Sequence, residues 1–348
     1  MTRTFIAPNR YVQGKDEIKN LGKYIETFGK KAFIIGSTGD LERTESLITK
    51  GIENNEVEVY YAHFNEASTK QEFYKLRDLA LSQNSDVIIG LGGGKSLDCA
   101  KAVAYYTDLP VIIIPTIAST DGPCSSIVAL YKETGEFDSY LPLKNNPNLI
   151  LVDSSIISQA PTRFLVAGMG DALSTYFEAR TYIKNNPNTT TKLSLATAKL
   201  CYETLLSDSV EAIKISNENQ VNEALENIIE ANILLSCLGF ENTGLSLAHS
   251  VHNVLTLFPE TNKFMHGEKV AFGVIVQLVV EQNPELNEVI DYCKLVGLPT
   301  TLGDLGLNSI DDSKLMLLSE ALVKEKQVIN TIPWVKVQDI YSILNKLK

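Results

Sequence analysis

Positive charge is in deficit in this sequence. Its 31 Lys and Arg face 42 Asp and Glu, a net charge of −11 over 348 residues. So acidic a chain lacks the electrostatic footprint that nucleic acid or an anionic membrane surface requires. Long apolar runs are missing as well. No stretch approaches about eighteen consecutive apolar residues, so nothing in the sequence reads as a bilayer span. The opening MTRTFIAPNRYVQGKDE has no apolar run of about 7–15 residues, and the expectation is a cytoplasmic chain without a signal peptide. Cysteines number only five, scattered as Cys99, Cys124, Cys201, Cys237 and Cys293, with no CxxC pair. They read as reduced, mostly structural thiols. Histidine is scarcer still, at four.

Hydrophobic residues at 44% and charged residues at 21% suit a globular protein, and the length suggests two domains. The first 155 residues alternate short β-branched runs with polar helical stretches. The runs are KAFIIG (31–36), VEVYYA (57–62), DVIIGLGGG (86–94), PVIIIPT (110–116), SIVALY (126–131) and NLILVD (148–153). Strands alternating with helices imply a parallel sheet covered by helices. After about residue 155 the pattern changes to long 3.6-residue periodicities, as in TTKLSLATAKLCYETLLSDSVEAI and NEALENIIEANILLSCLG. The expected architecture is a Rossmann-like α/β domain over residues 1–157 and an all-helical domain over residues 158–348, with a ligand site in the cleft between them.

Three of the four histidines, His249, His252 and His266, fall within eighteen residues, where even spreading would give about 0.2. Imidazole is the commonest protein ligand of catalytic metals. His249 and His252 are three apart, one face of a helix, and His266 follows a loop containing Pro259 and Asn262. Two imidazoles from separate segments plus a distant carboxylate would hold a metal with a coordination position open to substrate. The competing reading is three unrelated polar residues at helix ends. His63, away from the cluster, reads as structural.

The segment GLGGGKSLDCAKAVAYY (90–106) reads as a buried strand ending in Gly92, Gly93 and Gly94, with a helix beginning near Lys95. Glycines there let a phosphate approach backbone N–H groups at a helix N-terminus. Gly93, Gly94, Lys95 and Asp98 are therefore cofactor-binding candidates, although the spacing matches neither G-x-G-x-x-G nor a Walker A sequence. The next strand ends in PTIASTDGPCSS, rich in small hydroxyl residues and suited to line a nucleotide or polyol site. An ordinary polar loop is the alternative.

GGGKSLDCAKAVA, PTIASTDGPCSS, FLVAGMGDALSTYFEA, GLSLAHSVHN and HGEKVAFG occur in this order along the chain. Together they resemble the glycerol dehydrogenases of the metal-dependent, iron-containing type of polyol dehydrogenase. The resemblance covers nearly the whole chain. It implies a nucleotide-binding α/β domain of the dehydroquinate synthase-like type, followed by a helical domain. It also implies Asp171, His249 and His266 as ligands of a divalent metal, usually Zn²⁺, with Fe²⁺ admitted by the same donors. His252 would lie near the nicotinamide and substrate, as a catalytic proton-relay candidate, and Asp121 would grip a substrate hydroxyl. Gly94, Lys95, Thr116, Ser119, Ser125, Ile127 and Tyr131 match cofactor-contacting positions. A homo-oligomer, often an octamer, is implied as well. One departure stands out. The position after KAFIIG is normally acidic and holds the adenosine ribose, but here it is Ser37, with Asp40 three residues on and Arg43 nearby. The expectation is use of NAD with reduced discrimination against NADP.

The implied reaction is NAD-dependent oxidation of glycerol, or a related vicinal diol, to dihydroxyacetone or the matching hydroxyketone. A water-like alcohol and a neutral imidazole differ by about 9 pKa units, or about 12 kcal/mol, more than one base offsets, so a Lewis acid is needed. A glycerol-1-phosphate or 2-hydroxy-acid dehydrogenase is the nearest alternative, and a dehydroquinate synthase-like lyase lies further off. Both phosphate-binding readings need a basic pocket, and only Lys263 and Lys269 lie near the histidines. A non-enzymatic nucleotide sensor would not need an open metal position. The expected partner is a small polyol, not nucleic acid or membrane.

Overall fold

The computed structural model describes residues 2–65, 68–132 and 137–348. The chain divides into two compact units. One comprises Ala7–Thr162 with Ile215–Ile229, and the other Met1–Ile6, Arg163–Lys214 and Glu230–Lys348.

The first unit is built on strands β1 (Tyr11–Gly14), β2 (Lys31–Gly36), β3 (Glu58–His63), β4 (Val87–Gly92), β5 (Val111–Pro115), β6 (Ile127–Tyr131), β7 (Phe137–Pro142) and β8 (Leu149–Asp153). Six of them form one parallel sheet in the order β1-β8-β5-β4-β2-β3. Strands β4, β5 and β8 are buried at every position, because their Val and Ile side chains are covered on both faces. Edge strand β3 alternates instead, exposing Tyr60 and burying Ala62. Helices α1 (Leu21–Glu26), α2 (Thr38–Ile52), α3 (Lys70–Ser82) and α4 (Gly94–Thr107) connect the strands, and α5 (Ser154–Ser158) follows the last of them. Ile18, Leu21, Ile25, Leu41 and Ile48 seal the core against Ile34, Ile89 and Ile112. Each such aliphatic side chain contributes roughly 1.5–3 kcal/mol by burial.

The sheet differs from the sequence expectation in two places. β1 carries only four residues, YVQG, too short for an alternation signal, and is placed by pairing with β8. β6 leaves the parallel sheet and pairs antiparallel with β7. A run of five apolar or aromatic residues fits either arrangement, and periodicity alone does not separate them.

The second unit takes its helices from α6 (Thr162–Asn185) and most of α7 (Lys192–Asn217); α8 (Glu223–Glu230) then belongs almost wholly to the first unit, and α9 (Ser236–Glu241), α10 (Leu247–Leu255), α11 (His266–Val280), α12 (Leu286–Val296), α13 (Asp312–Leu322), α14 (Lys326–Thr331) and α15 (Val337–Lys346) belong to the second. A π-helical turn, Ala231–Leu235, joins α8 to α9. Among the described residues, 158–348 contain no strand. Leu247, Val251, Phe272, Leu318 and Ile340 belong to one buried cluster of this unit. All five cysteines are buried, and none is joined to another by a disulfide. Among the described residues no helix is long and apolar enough to cross a membrane.

Helices α10 and α11 approach closely enough that glycine is required. A Cβ on Gly273 would lie 2.3 Å from the carbonyl oxygen of Ala248. Gly39 in α2 is open by comparison, its nearest neighbour being the Arg43 guanidinium at 3.6 Å. Ala in place of a helical Gly ordinarily stabilises by up to about 1 kcal/mol. Gly39→Ala should therefore be neutral or stabilising, whereas Gly273→Ala should lose about 1–3 kcal/mol by overpacking. Denaturant melts of the two variants measure this, and equal midpoints would contradict the close approach.

Candidate metal and nucleotide sites

Three helices of the second unit carry the residues expected to bind metal. Asp171 projects from the middle of α6 and is fully buried. His249 lies in the first turn of α10, and His266 is the first residue of α11. Oδ1 of Asp171 stands 3.5 Å from His249 Nε2 and 3.0 Å from His266 Nε2. One ligand atom from each residue lies within 4.8 Å of the others. Ligands about 2.0–2.2 Å from a single ion at tetrahedral angles are about 3.4 Å apart. One carboxylate and two imidazoles at these separations fit a divalent cation with a position left for substrate.

The start of α11 is anchored so that His266 is held. The Met265 N–H donates to Glu268 Oε2 at 2.7 Å, half of a capping box. Arg163 grips Glu268 through Nε and Nη2, at 2.7 and 2.8 Å.

Each imidazole is oriented by its other nitrogen. His249 Nδ1 meets Glu178 Oε2 at 2.6 Å, while Glu178 Oε1 accepts the backbone N–H groups of Ser246 and His249. His266 Nδ1 meets His252 Nε2 at 3.1 Å, and His252 Nδ1 meets Asn253 Oδ1 at 3.2 Å. Because Asn253 Oδ1 only accepts, the hydrogen-bond chain assigns a proton to Nδ1 of His252 and, through it, to Nδ1 of His266. Burial, reinforced by His266 and Lys269, pushes the His252 pKa well below its ordinary value, consistent with a neutral ring. Burial alone would lower the His249 pKa, but Glu178 and Asp171 outweigh it and hold the pKa well above the ordinary value. Burial would raise the Asp171 pKa, yet His266 and His249 hold it far below the usual carboxylate range. Glu178 was not singled out from the sequence. Its signal was available: it follows Asp171 by seven residues, the same face of one helix.

The nucleotide candidates belong to the first unit. β4 ends at Gly92, whose φ is +132°, and α4 begins at Gly94 behind the cap Gly93. A Cβ on Gly93 would press on Ile117 at 3.0 Å, whereas one on Gly94 would meet only ordinary contacts. The turn thus presents bare backbone at the N-terminus of a fourteen-residue helix, a cradle suited to phosphate. Lys95 lies in that first turn. Asp98 is committed within the protein: Oδ1 pairs with Lys101 Nζ at 2.9 Å, and Oδ2 accepts from Ala129 N at 2.9 Å. The fully buried Lys101 ammonium also donates to the carbonyls of Gly122 and Ile127, at 2.9 and 2.7 Å, and reaches Ser125 at 3.3 Å. It gathers the loop that carries Ser119, Asp121, Ser125 and Ile127. Asp121 is buried and stands immediately before the turn Gly122–Cys124. Thr116 is buried and donates to Asp40 Oδ1 at 3.0 Å. Tyr131 ends β6, and its side chain lies outside the described residues. His63 contacts Thr38 at 3.2 Å and belongs to the α/β unit, whereas the other three histidines belong to the second unit.

Comparison with known proteins sets the class and then narrows it. The family model for iron-containing alcohol dehydrogenase matches residues 8–154. Similarity then extends over nearly the whole chain. A glycerol dehydrogenase of Thermotoga maritima is 44% identical over 347 residues, covering 96% of this chain and 93% of its own. One from Escherichia coli is 41% identical over 340 residues, with the same coverage. The crystal structure of a probable glycerol dehydrogenase from Sinorhizobium meliloti superposes with a TM-score of 0.92 at 38% identity, over 100% of this chain and 98% of that one. The chain therefore belongs to the iron-containing alcohol dehydrogenase family, alongside its glycerol dehydrogenases.

Partners that orient a metal-binding imidazole are typically worth about 10–100-fold in metal affinity. Glu178→Gln should weaken Zn²⁺ binding by about that factor, read by competition against a chromogenic chelator. Unchanged affinity would mean that Glu178 does not orient a ligand.

Proposed function

We propose that this protein is an NAD-dependent, metal-containing glycerol dehydrogenase that oxidises glycerol or a related vicinal diol to the hydroxyketone. The observation that carries the reading is the convergence of Asp171, His249 and His266, from three helices, on one point. When bound, the divalent ion supplies Lewis acidity at the alcohol oxygen, and the nicotinamide supplies the hydride acceptor. The protein's residues do the rest. Asp171 contributes the anionic donor, held ionised by the imidazoles beside it. Glu178 and His252 hold His249 and His266 in the orientations that aim their Nε2 atoms at Asp171. His252 has both ring nitrogens engaged, Nε2 with His266 and Nδ1 with Asn253. Gly93, Gly94 and Lys95 serve the cofactor phosphates; Thr116, Ser119, Ser125, Ile127 and Tyr131 serve its nucleoside portions. Asp98 acts through Lys101, by fixing the loop that presents Asp121. We assign Asp121 to a substrate hydroxyl.

A phosphorylated substrate is disfavoured by the cations beside the histidines. Lys269 is buried, and Lys263 lies over the ring of Phe264 at 5.2 Å. Buried cysteines without a disulfide among them support a reducing, cytoplasmic setting. A homo-oligomer completes the reading, on the strength of the sequence resemblance.

The decisive assay follows NADH absorbance with glycerol, 1,2-propanediol, 2-hydroxy acids and glycerol phosphate. Vicinal diols should be turned over, chelation should abolish the rate, and Zn²⁺ should restore it. His266→Ala should lose bound metal and turnover together; full activity in a metal-free variant would refute the assignment. Asp121→Ala should depress polyol turnover more than NADH binding, and equal effects on both would remove its substrate role.

A further inference from the structure

The chain reverses direction across the sheet between β2 and β4: β3 lies on one side of β2, while β4, β5 and β8 follow on the other. Open α/β sheets take their ligands beyond the carboxyl ends of the strands at such a reversal. Asp40, in the first turn of α2, reaches into that place. Its Oδ2 stands 2.7 Å from where a Cβ on Gly92 would be, and its Oδ1 accepts from Thr116 just beyond β5. One carboxylate therefore spans the ends of β2, β4 and β5. This differs from the expectation raised by Ser37, in which the strand edge lacks an acidic group.

An acidic residue in the first turn of a helix is ordinarily explained by the helix dipole. That explanation is satisfied by a solvated side chain. It does not account for a residue only 8% exposed that bonds to the far side of β4. Ser37 supplies the missing cause. Its hydroxyl accepts from Asp40 N at 3.2 Å and lies 2.6 Å from Asp40 Oδ2, to which it donates. The residue that caps α2 thus also turns the carboxylate inward. Oδ2 takes that single hydrogen bond. A carboxylate offers about four acceptor sites, so Oδ2 retains capacity for another donor.

We propose that Asp40, delivered by Ser37, is the residue that selects NAD over NADP in this chain, by accepting a ribose hydroxyl of the adenosine half and repelling a 2′-phosphate. This rests on the dehydrogenase reading above. Arg43 is the counterweight: it donates to Asp40 Oδ1 and offers a cation to a phosphate. Its side chain is 68% exposed, against 12% for Asp40, so solvent screens the Arg43 charge more than that of the carboxylate.

Fluorescence titration of the intact protein with NADH and NADPH tests this without turnover. Wild-type protein should bind NADH about 100-fold more tightly than NADPH, and Asp40→Asn should shrink that ratio about 10-fold or more. Arg43→Ala should widen the ratio or leave it unchanged. Both nucleotides are titrated on the same sample, so partial unfolding of a variant cancels in the ratio, and the wild-type ratio needs no variant. A wild-type ratio near one, a ratio unmoved by Asp40→Asn, or one narrowed by Arg43→Ala overturns the proposal while leaving the dehydrogenase reading in place. Failure of wild-type protein to bind either nucleotide overturns both.

Discussion

Helices α6 and α11 meet backbone to backbone at Gly170 and Gly267, and the metal site depends on that contact. A Cβ on Gly267 would fall 1.8 Å from the Ala167 carbonyl oxygen, and one on Gly170 would fall 2.4 Å from that of Gly267. The residues beside these glycines are Asp171 and His266. Side chains at the crossing would push the helices apart and separate Asp171 Oδ1 from His266 Nε2, which stand 3.0 Å from each other. Gly273 does the same for α10 against Ala248, and so sets the distance at which His249 enters. Small residues at helix crossings are thus what bring three distant stretches of chain within one coordination sphere.

Beyond that sphere the polar residues are arranged in pairs with divided duties. Glu178 holds His249, His252 holds His266, and Arg163 with Glu268 holds the end of α11 on which His266 stands. A buried carboxylate such as Asp171 is tolerated because imidazoles surround it. The α/β unit uses the same device with opposite sign. There the buried Lys101 ammonium is satisfied by Asp98 and main-chain carbonyls, and its effect is to shape the loop bearing Asp121.

The strands and the histidine helices were readable because their signals are local. KAFIIG and VIIIP are apolar on both faces, and an i, i+3 histidine pair names one face of a helix. β1 and the β6–β7 hairpin were not, since four residues, or a run that fits either sheet, carry no preference until partners are present. At the metal site, the histidine cluster was visible as an excess over composition, whereas Asp171 came only through family resemblance. Glu178 carried a local signal, its seven-residue spacing from Asp171 on one helix face, but its partner His249 is reached only through tertiary packing against α10. The direction of Asp40 was equally hidden: proximity to Ser37 is local, but contact with Gly92 and Thr116 exists only once β2, β4 and β5 lie side by side.

Anomalous diffraction at the zinc edge, from crystals of the zinc-loaded protein, tests the shared coordination sphere most directly. One peak per chain is expected, within about 2.0–2.2 Å of Asp171 Oδ1, His249 Nε2 and His266 Nε2. A peak bound elsewhere, or none at those three atoms in fully loaded protein, would contradict it.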